Sequence, residues 1–426
     1  MTDELLRVSR RTTLMAAGVG VAGLSGCLDT VRELNPLDGS GGWGQYRGDQ
    51  RNRGRAGSGP GTDLDDDWDW TRSGEADADA GAVEMSSPVA AGGTVFVSGT
   101  VQYPTADEVE RTGYVVALDA GSGDEQWREE IPWSDLPITP AVSDGTVVAA
   151  GGTAGEMELF AFDAATGDER WNESLDFFVT GALKAADGAV FVPSQTLSSV
   201  SVEDGSENWT YEAGDERVEW PNFAPAVGSD RAYLPVASEV HAIDRDDGSA
   251  DWVEDIGRTS EPSGGVGQVY PPVLGEGTLY AASGKLINRS SGDLAALDPD
   301  DGDVSWRFGP DPNGREFAGA FGCPVVKDGT VFVTGREDQK PKLWALDPDD
   351  GEPEDDEEIP AVGFHVLAGG GTVYLGGGNW VGAADPAGPD LEADPEVSGG
   401  DIFASPAITD GRLVVAKRDG LVAYGG

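Results

Sequence analysis

The residues that could carry acid–base, nucleophilic or metal chemistry in this chain are few and scattered. It has two histidines, His241 and His365, far apart in strand-like surroundings, and two cysteines, Cys27 and Cys323. No HExxH, GxSxG or phosphate-binding loop occurs. Cys323 opens an apolar run beside Pro324, the setting of an inert buried thiol. Carboxylates are plentiful, and DPDDGD from Asp298 and DPDDGE from Asp347 resemble the opening of a calcium loop. Such a loop needs Gly at its sixth position and a bidentate Glu at its twelfth. Here Gly302 is fifth and Gly309 twelfth, so these stretches read as acidic turns. The patterns assign no catalytic residue, no cofactor ligand and no metal ligand. Three sequons, at Asn172, Asn208 and Asn288, offer N-glycosylation on an exported chain.

The N-terminus supplies a further covalent site. Arg7, Arg10 and Arg11 precede an apolar run from Leu14 to Leu24, and SRRTTLM (Ser9–Met15) resembles a twin-arginine export signal. The run is too short to span a bilayer as a stable helix. It ends in LSGC, which looks like a lipobox whose Cys27 is cleaved and lipid-modified. Residues 1–27 are therefore expected to be a twin-arginine signal with a lipobox, with Arg10 and Arg11 as the export residues. Residues 28–61, rich in Gly, Asp and Arg, read as a tether and leader, and 62–426 as the folded domain. The expected location is the extracytoplasmic face of the cell membrane. A lipidated Cys27 leaves Cys323 alone, so no intramolecular disulfide can form.

The elements that must position everything else announce themselves as a repeat. ALDAGSGDEQW (Ala117–Trp127) sets Asp119, Gly123 and Trp127 four residues apart. The spacing returns at Asp163–Trp171, Asp244–Trp252 and Asp298–Trp306, and at Ser201–Trp209 with Ser for Asp. Asp347–Asp355 lacks the Trp. The turn glycines recur every 38 to 54 residues, a period that means a propeller or solenoid. Upstream of each lies a second hairpin signal, such as MSSPVAAGGTVFVSG from Met85 or ITPAVSDGTVVAAGG from Ile138. Two hairpins make four antiparallel strands, A to D, and such sheets bury both faces when set radially around an axis. Trp127, Trp171, Trp209, Trp252 and Trp306 are expected to fill the gaps between neighbouring blades. Leu64–Gly74 reads as an orphan strand D, with Trp68 or Trp70 in the repeat's Trp position, and Ala404–Tyr424 as a repeat lacking its strand D. The two termini are thus expected to complete one blade together. The total is about eight blades; seven is the alternative, because the third and seventh repeats are degenerate.

Loop lengths predict two unlike faces. The A–B and C–D turns are short, whereas B–C and D–A connections are read as long at Gly99–Gly113, Tyr211–Asn222, Gly257–Tyr270, Gly284–Gly292, Phe308–Phe321, Arg336–Lys342 and Gly376–Gly382. These leave a blade on the same side, so they predict an elaborated binding rim. Its candidates are Tyr103, Trp220, Arg258, Arg315, Phe317 and Trp380, local loop packing being the competing reading of each aromatic.

Lys and Arg total 28 against 77 Asp and Glu, a net charge of −49. Such a surface repels nucleic acid and anionic lipid alike, which leaves an acyl chain as the membrane anchor. The acid is spread over every repeat. Its self-repulsion is relieved in molar salt, where the screening length falls to about 3 Å. With scarce lysine and abundant Asp, the composition is similar to that of haloarchaeal proteins.

The repeated A-x-D-x-x-x-G-x-x-x-W and x-P-x-V-x-D-G-x-V-x-V units, from about Leu64 to Gly426, resemble the PQQ-like, or quinoprotein-type, β-propeller repeat. WGQYRGDQRNRG (Trp43–Gly54) resembles the leader that precedes such propellers and is expected to pack on the domain surface. A signal, a lipobox and a lone propeller are closest in plan to BamB-like lipoproteins, whose bacterial members are scaffolds that aid insertion of outer-membrane barrels. The resemblance implies a non-catalytic scaffold with an unidentified extracytoplasmic protein partner, a membrane anchor and no cofactor. The alternative it implies is a PQQ-dependent oxidoreductase, which holds the quinone over calcium, commonly under a vicinal disulfide. This chain has no adjacent cysteines and no assignable calcium-binding carboxylate set. A cell-surface sensor or carbohydrate-binding module is the third reading.

Overall fold

The computed structural model describes residues 43–62, 64–71, 83–104, 109–134, 137–153, 156–194, 196–214, 224–257, 268–284, 292–309, 317–320, 322–337, 340–360, 365–377, 380–385, 391–394, 404–417 and 420–425. Side chains are described for all of these except 83, 103–104, 109–110, 268, 317–320 and 391–394. Among them there is no helix, and none long and apolar enough to cross a membrane. The propeller unit runs from Glu33 to Gly426.

Eight antiparallel sheets follow one another as eight blades of a β-propeller. In blade one the strands are A Val89–Ala91, B Thr94–Pro104, C Val109–Asp119 and D Glu125–Ile131. Strands A, B and C are mostly buried, blade six being the most open, because both sheet faces meet a neighbouring blade. Strand D is outermost and alternates, as EQWREEI does between exposed Glu125 and buried Trp127. In blades one, two, three, six and eight the A–B hairpin turns on two residues with positive φ, for example Asp144 (49°) with Gly145 (72°) and Asp410 (47°) with Gly411 (76°). That is the backbone twist a tight hairpin requires. The eighth blade takes A Ala407–Thr409, B Arg412–Lys417 and C Gly420–Gly425 from the end of the chain. Its strand D is Asp65–Thr71 from the start, in register Asp65↔Gly425 to Thr71↔Gly420. The ring therefore closes by hydrogen bonds between the two ends, and no blade face is left open.

Blades are joined by a repeated clasp. The indole Nε1 of a strand-D Trp donates to a carbonyl at the C–D turn of the next blade: Trp68 to Ala120, Trp127 to Ala164, Trp171 to Val202, Trp209 to Arg245, Trp252 to Pro299 and Trp306 to Pro348 (2.7–3.2 Å). The same ring lies flat on the turn glycine of that next blade. A Cβ at Gly123 would meet the Trp68 ring at 2.7 Å, and one at Gly167 the Trp127 ring at 2.9 Å. These glycines also have positive φ, 73° and 78°. Asp119 fixes the loop by accepting the amides of Gly121 (2.9 Å) and Ser122 (3.0 Å), and Asp163 does the same for Ala165 and Thr166. The carboxylate turn, the glycine and the preceding blade's tryptophan form one unit. Of the two candidates in the orphan strand, Trp68 occupies the clasp. Blade six ends in Pro353–Glu358 without a Trp. There Trp380, on strand C of blade seven, packs among Val325, Phe332, Leu343 and Ile359 instead.

Replacing Gly167 by Ala is expected to destabilise the protein by about 1–3 kcal/mol more than Gly145→Ala, because both meet a positive φ but only Gly167 also meets a ring. In a Trp127→Ala background the excess at Gly167 should vanish. Chemical denaturation of the four variants checks this; equal costs at the two glycines in the parent would refute the clasp.

Candidate functional site

Two places on a propeller can carry function, the rim that bears the long connections and the axial channel where the A strands converge. At the rim several connections read as loops are strand. Within Gly99–Gly113 the described residues are strand, with Thr94–Pro104 paired to Val109–Asp119 out to Pro104↔Val109. In Arg336–Lys342 and Gly376–Gly382 the described residues are strand, belonging to Thr330–Glu337 and Lys340–Leu346 and to Thr372–Gly377 and Trp380–Ala384. Trp380 is consequently a core residue, 2% exposed, and not a rim ligand. Its apolar neighbours on blade six supply the reason. Tyr103 and Phe317 lie in strands, but their side chains are outside the described set, and Trp220, Arg258 and Arg315 lie outside the described residues altogether, as do Cys27, Arg10, Arg11 and Asn288. Asn172 and Asn208 lie in strands D of blades two and three, with their amides bonded to Glu169 and Ser199.

The long D–A connections of blades one, five and six contain extra strands. Val83–Met85, Gln268–Val269 and Phe317–Ala320 pair with the rim-side halves of their B strands. Among the described residues Val253 is the one large apolar side chain that stands exposed, so the described part of the rim has no broad apolar patch. It does carry a relay that sequence reasoning missed. Tyr211 of blade three lies 2.8 Å by its hydroxyl from His241 Nδ1, and His241 Nε2 lies 2.9 Å from Glu239 of blade four. Burial and the Glu239 charge both push the Tyr211 phenol up. A phenol shifted upward is a poor nucleophile at neutral pH, so the relay acts as a polar rivet between two blades. Residues 30 apart gave no sequence signal for it.

The channel holds the larger correction. The leader does not pack on the domain surface; from Trp43 onward it is threaded through the convergence of the A strands. Trp43 exchanges backbone hydrogen bonds with Ala90 of blade one (2.6 and 2.7 Å). Gly44 O accepts from Val142 of blade two (2.8 Å). The Gln45 side-chain amide pairs with both backbone groups of Ala185 of blade three (2.5 and 2.9 Å). The chain then reverses through Arg47 (φ 56°) and Gly48 (φ 87°). Gln50 O accepts from Val227 of blade four, Arg51 O from Leu274 of blade five and Gly54 O from Ala368 of blade seven (2.6, 2.9 and 2.7 Å). Arg55–Ala56 continues parallel to strand A of blade seven. Asn52 Nδ2 reaches Ala224, Pro225 and Pro272, bridging blades four and five (2.9–3.2 Å).

Two cations lie in this plug. Arg47, 0% exposed, donates from Nε to Asn52 O (3.1 Å) and from Nη2 to Pro324 O of blade six (2.6 Å) and Val366 O of blade seven (3.1 Å). Lys184, also 0% exposed, stands on strand A of blade three and donates to the leader carbonyls of Tyr46 and Asp49, the latter at 2.8 Å. Burial pushes the lysine down to about 7, with the Arg47 charge acting the same way and Asp49 and Cys323 opposing. Burial likewise raises the Tyr46 phenol and the neighbouring Cys323 thiol, which is free and buried.

Among the described residues no three His, Cys, Asp or Glu are grouped to hold a metal ion. The channel residues do not fit a calcium-held quinone, since Trp43, Tyr46, Arg47 and Asn52 fill the convergence of the blades. On the short-turn face, where the leader leaves the channel, a groove of about 490 Å³ gathers Asp65, Asp66, Asp67 and Asp410 around Arg412.

A family model described as outer membrane protein assembly factor BamB matches residues 111–289 and 290–425. The chain belongs to that family. No curated protein sequence matches it. Among solved structures, BamB from Moraxella catarrhalis is similar at 16% identity and a TM-score of 0.57, over 85% of this chain and 99% of that one. A quinohaemoprotein alcohol dehydrogenase from Pseudomonas putida HK5 is similar at 15% identity and a TM-score of 0.66, over 90% and 80%. A europium-containing methanol dehydrogenase is similar at 14% identity and a TM-score of 0.64, over 88% and 89%. At such identities these structures share the BamB-family fold with this chain and say nothing of its chemistry.

Lys184 makes stability depend on pH. Its folded pKa lies below the ordinary lysine value, so between about 7 and that value the unfolded chain binds more protons than the folded one. Stability therefore rises with pH across that window, by at most about 1.4 kcal/mol per pH unit. Lys184→Met removes two bonds to the leader and lowers stability at every pH, but its unfolding midpoint should lack this rise. Parallel profiles for parent and variant would show that the lysine does not titrate there.

Proposed function

We propose that the protein is a non-catalytic, lipid-anchored extracytoplasmic propeller that presents its loop-bearing rim to a protein partner. The observation that carries the reading is the leader in the channel. A small substrate or quinone needs the axial cavity, and here that space is taken by Trp43–Gly54 with its hydrogen bonds to six A strands. What is left for recognition is the outer surface, of which the rim carries the long connections. Membership of the BamB family supports the same reading, as a scaffold outside the cytoplasm and at a membrane. The candidate contacts there are Tyr103, Trp220, Arg258, Arg315 and Phe317. No nucleic-acid partner is proposed, since a net charge of −49 opposes it. Arg10 and Arg11 would direct twin-arginine export, Cys27 would carry the lipid, and Asn172, Asn208 and Asn288 are the glycosylation candidates. The acidic composition is proposed as an adaptation to molar salt.

The competing reading is a PQQ-dependent oxidoreductase on the same fold. Calorimetry of the folded protein with PQQ and calcium in molar salt is expected to give no saturable heat; one-to-one binding would overturn the scaffold reading. Independently, Cys27→Ser with an intact signal is expected to move the protein from the membrane fraction to the soluble one. Retention of the variant on membranes would remove the lipid anchor from the proposal.

A further inference from the structure

Among the described residues neither buried cation in the channel forms an ion pair, and the Asp49 charge acts on Lys184 only from a distance. Asp49, the nearest carboxylate along the leader, is already bound by the Arg53 guanidinium and by the amides of Arg51 and Arg53. Every acceptor of Arg47 and Lys184 is a neutral carbonyl. Carbonyls satisfy donors but do not cancel charge; Asp49 offsets part of the Lys184 charge, and charge left without a paired anion out of water is unfavourable. Donors also remain. Arg47 Nη1 is buried and without a hydrogen-bond partner, and Lys184, with three N–H groups, has two acceptors. Lys184 Nζ donates to the carbonyl of Tyr46, the residue directly before Arg47, and the arginine charge acts on the lysine. Trp43, Tyr46, Asn52 and Cys323, each at most 6% exposed, are buried in the same part of the molecule.

We propose that a monatomic anion of chloride size binds inside the channel against Arg47 Nη1, with Lys184 as the second cation. The site neutralises charge where the leader reverses, and it ties the leader to blades three, six and seven, whose groups Lys184 and Arg47 hold. The inference does not depend on what the rim binds; it holds equally for a scaffold and for an enzyme. A halide accepts hydrogen bonds from several N–H groups without directional demand, which suits a guanidinium edge and an ammonium from different elements. The large negative charge of the chain would repel an anion at low salt, but in molar salt that long-range field is screened and the local cations dominate.

The probe is bromide. Crystals of the full folded chain, grown with bromide replacing chloride, are expected to show one anomalous peak within hydrogen-bonding distance of Arg47 Nη1. A feature there without anomalous signal, as an ordered water would give, overturns the proposal. In solution, exchanging glutamate for chloride at constant ionic strength should raise the unfolding temperature along a saturable curve. Lys184→Met, which leaves the arginine in place, should weaken the response and shift its midpoint to higher chloride. A linear, unsaturable salt effect identical in parent and variant also overturns it.

Discussion

The inner edges of the A strands set the constraint on which the rest of this structure depends. A radial array of sheets pairs every strand edge except the outermost and the innermost. The outermost face water, which can solvate them. The innermost converge on an axis too narrow for bulk solvent, yet each still presents N–H and C=O groups that need partners. In this protein the partner is the chain's own leader. Ala90, Val142, Ala185, Val227, Leu274 and Ala368 occupy corresponding places on their A strands, and each meets a group of the segment from Trp43 to Gly54. A single irregular strand thus does in the channel what a neighbouring strand does inside a sheet. Side chains extend its reach where the backbone cannot follow, with Arg47 spanning to blades six and seven and Asn52 stitching four to five.

Around the outside a different device holds the ring. The clasp couples a ring on one blade to a turn on the next, so each of these six junctions depends on residues 31 to 52 positions apart. The carboxylate that begins the turn shapes the backbone, the glycine leaves a flat place, and the indole covers it while its N–H finds a carbonyl. This explains why Asp, Gly and Trp travel together in the sequence although the Trp of a repeat never touches the Gly of its own repeat. The junction between blades six and seven lacks the motif and is filled from the other side by Trp380, so the seam is packed by volume and not by pattern.

Much of this was legible beforehand, and what was not has identifiable causes. Blade number, strand type and the composite eighth blade followed from period and alternation, which are local signals repeated many times. Leader placement did not. WGQYRGDQRNRG is polar and lacks alternation, because its partners are strand edges and not apolar faces; a polar segment buried by backbone bonding looks like a surface segment in composition. The rim was misjudged for a related reason. A glycine-rich run such as GGGNW around Trp380 reads as a loop, whereas Gly376 and Gly377 end the strand Thr372–Gly377 and Trp380 begins the strand Trp380–Ala384. Tyr211, His241 and Glu239 belong to two blades and no shared pattern, so the relay could be seen only in three dimensions.

The position of the leader also dictates an order of events. Trp43–Gly54 is synthesised before any blade, but its hydrogen-bond partners extend from Ala90 to Ala368, and the strand that follows it, Asp65–Thr71, pairs only with Gly420–Gly425 at the far end. Neither can be seated until nearly the whole chain exists. Loop closures of more than 300 residues are slow and disfavour stepwise completion during synthesis. The segment made first is thus among the last to lock, and until it does the inner strand edges stay open to pairing with other chains.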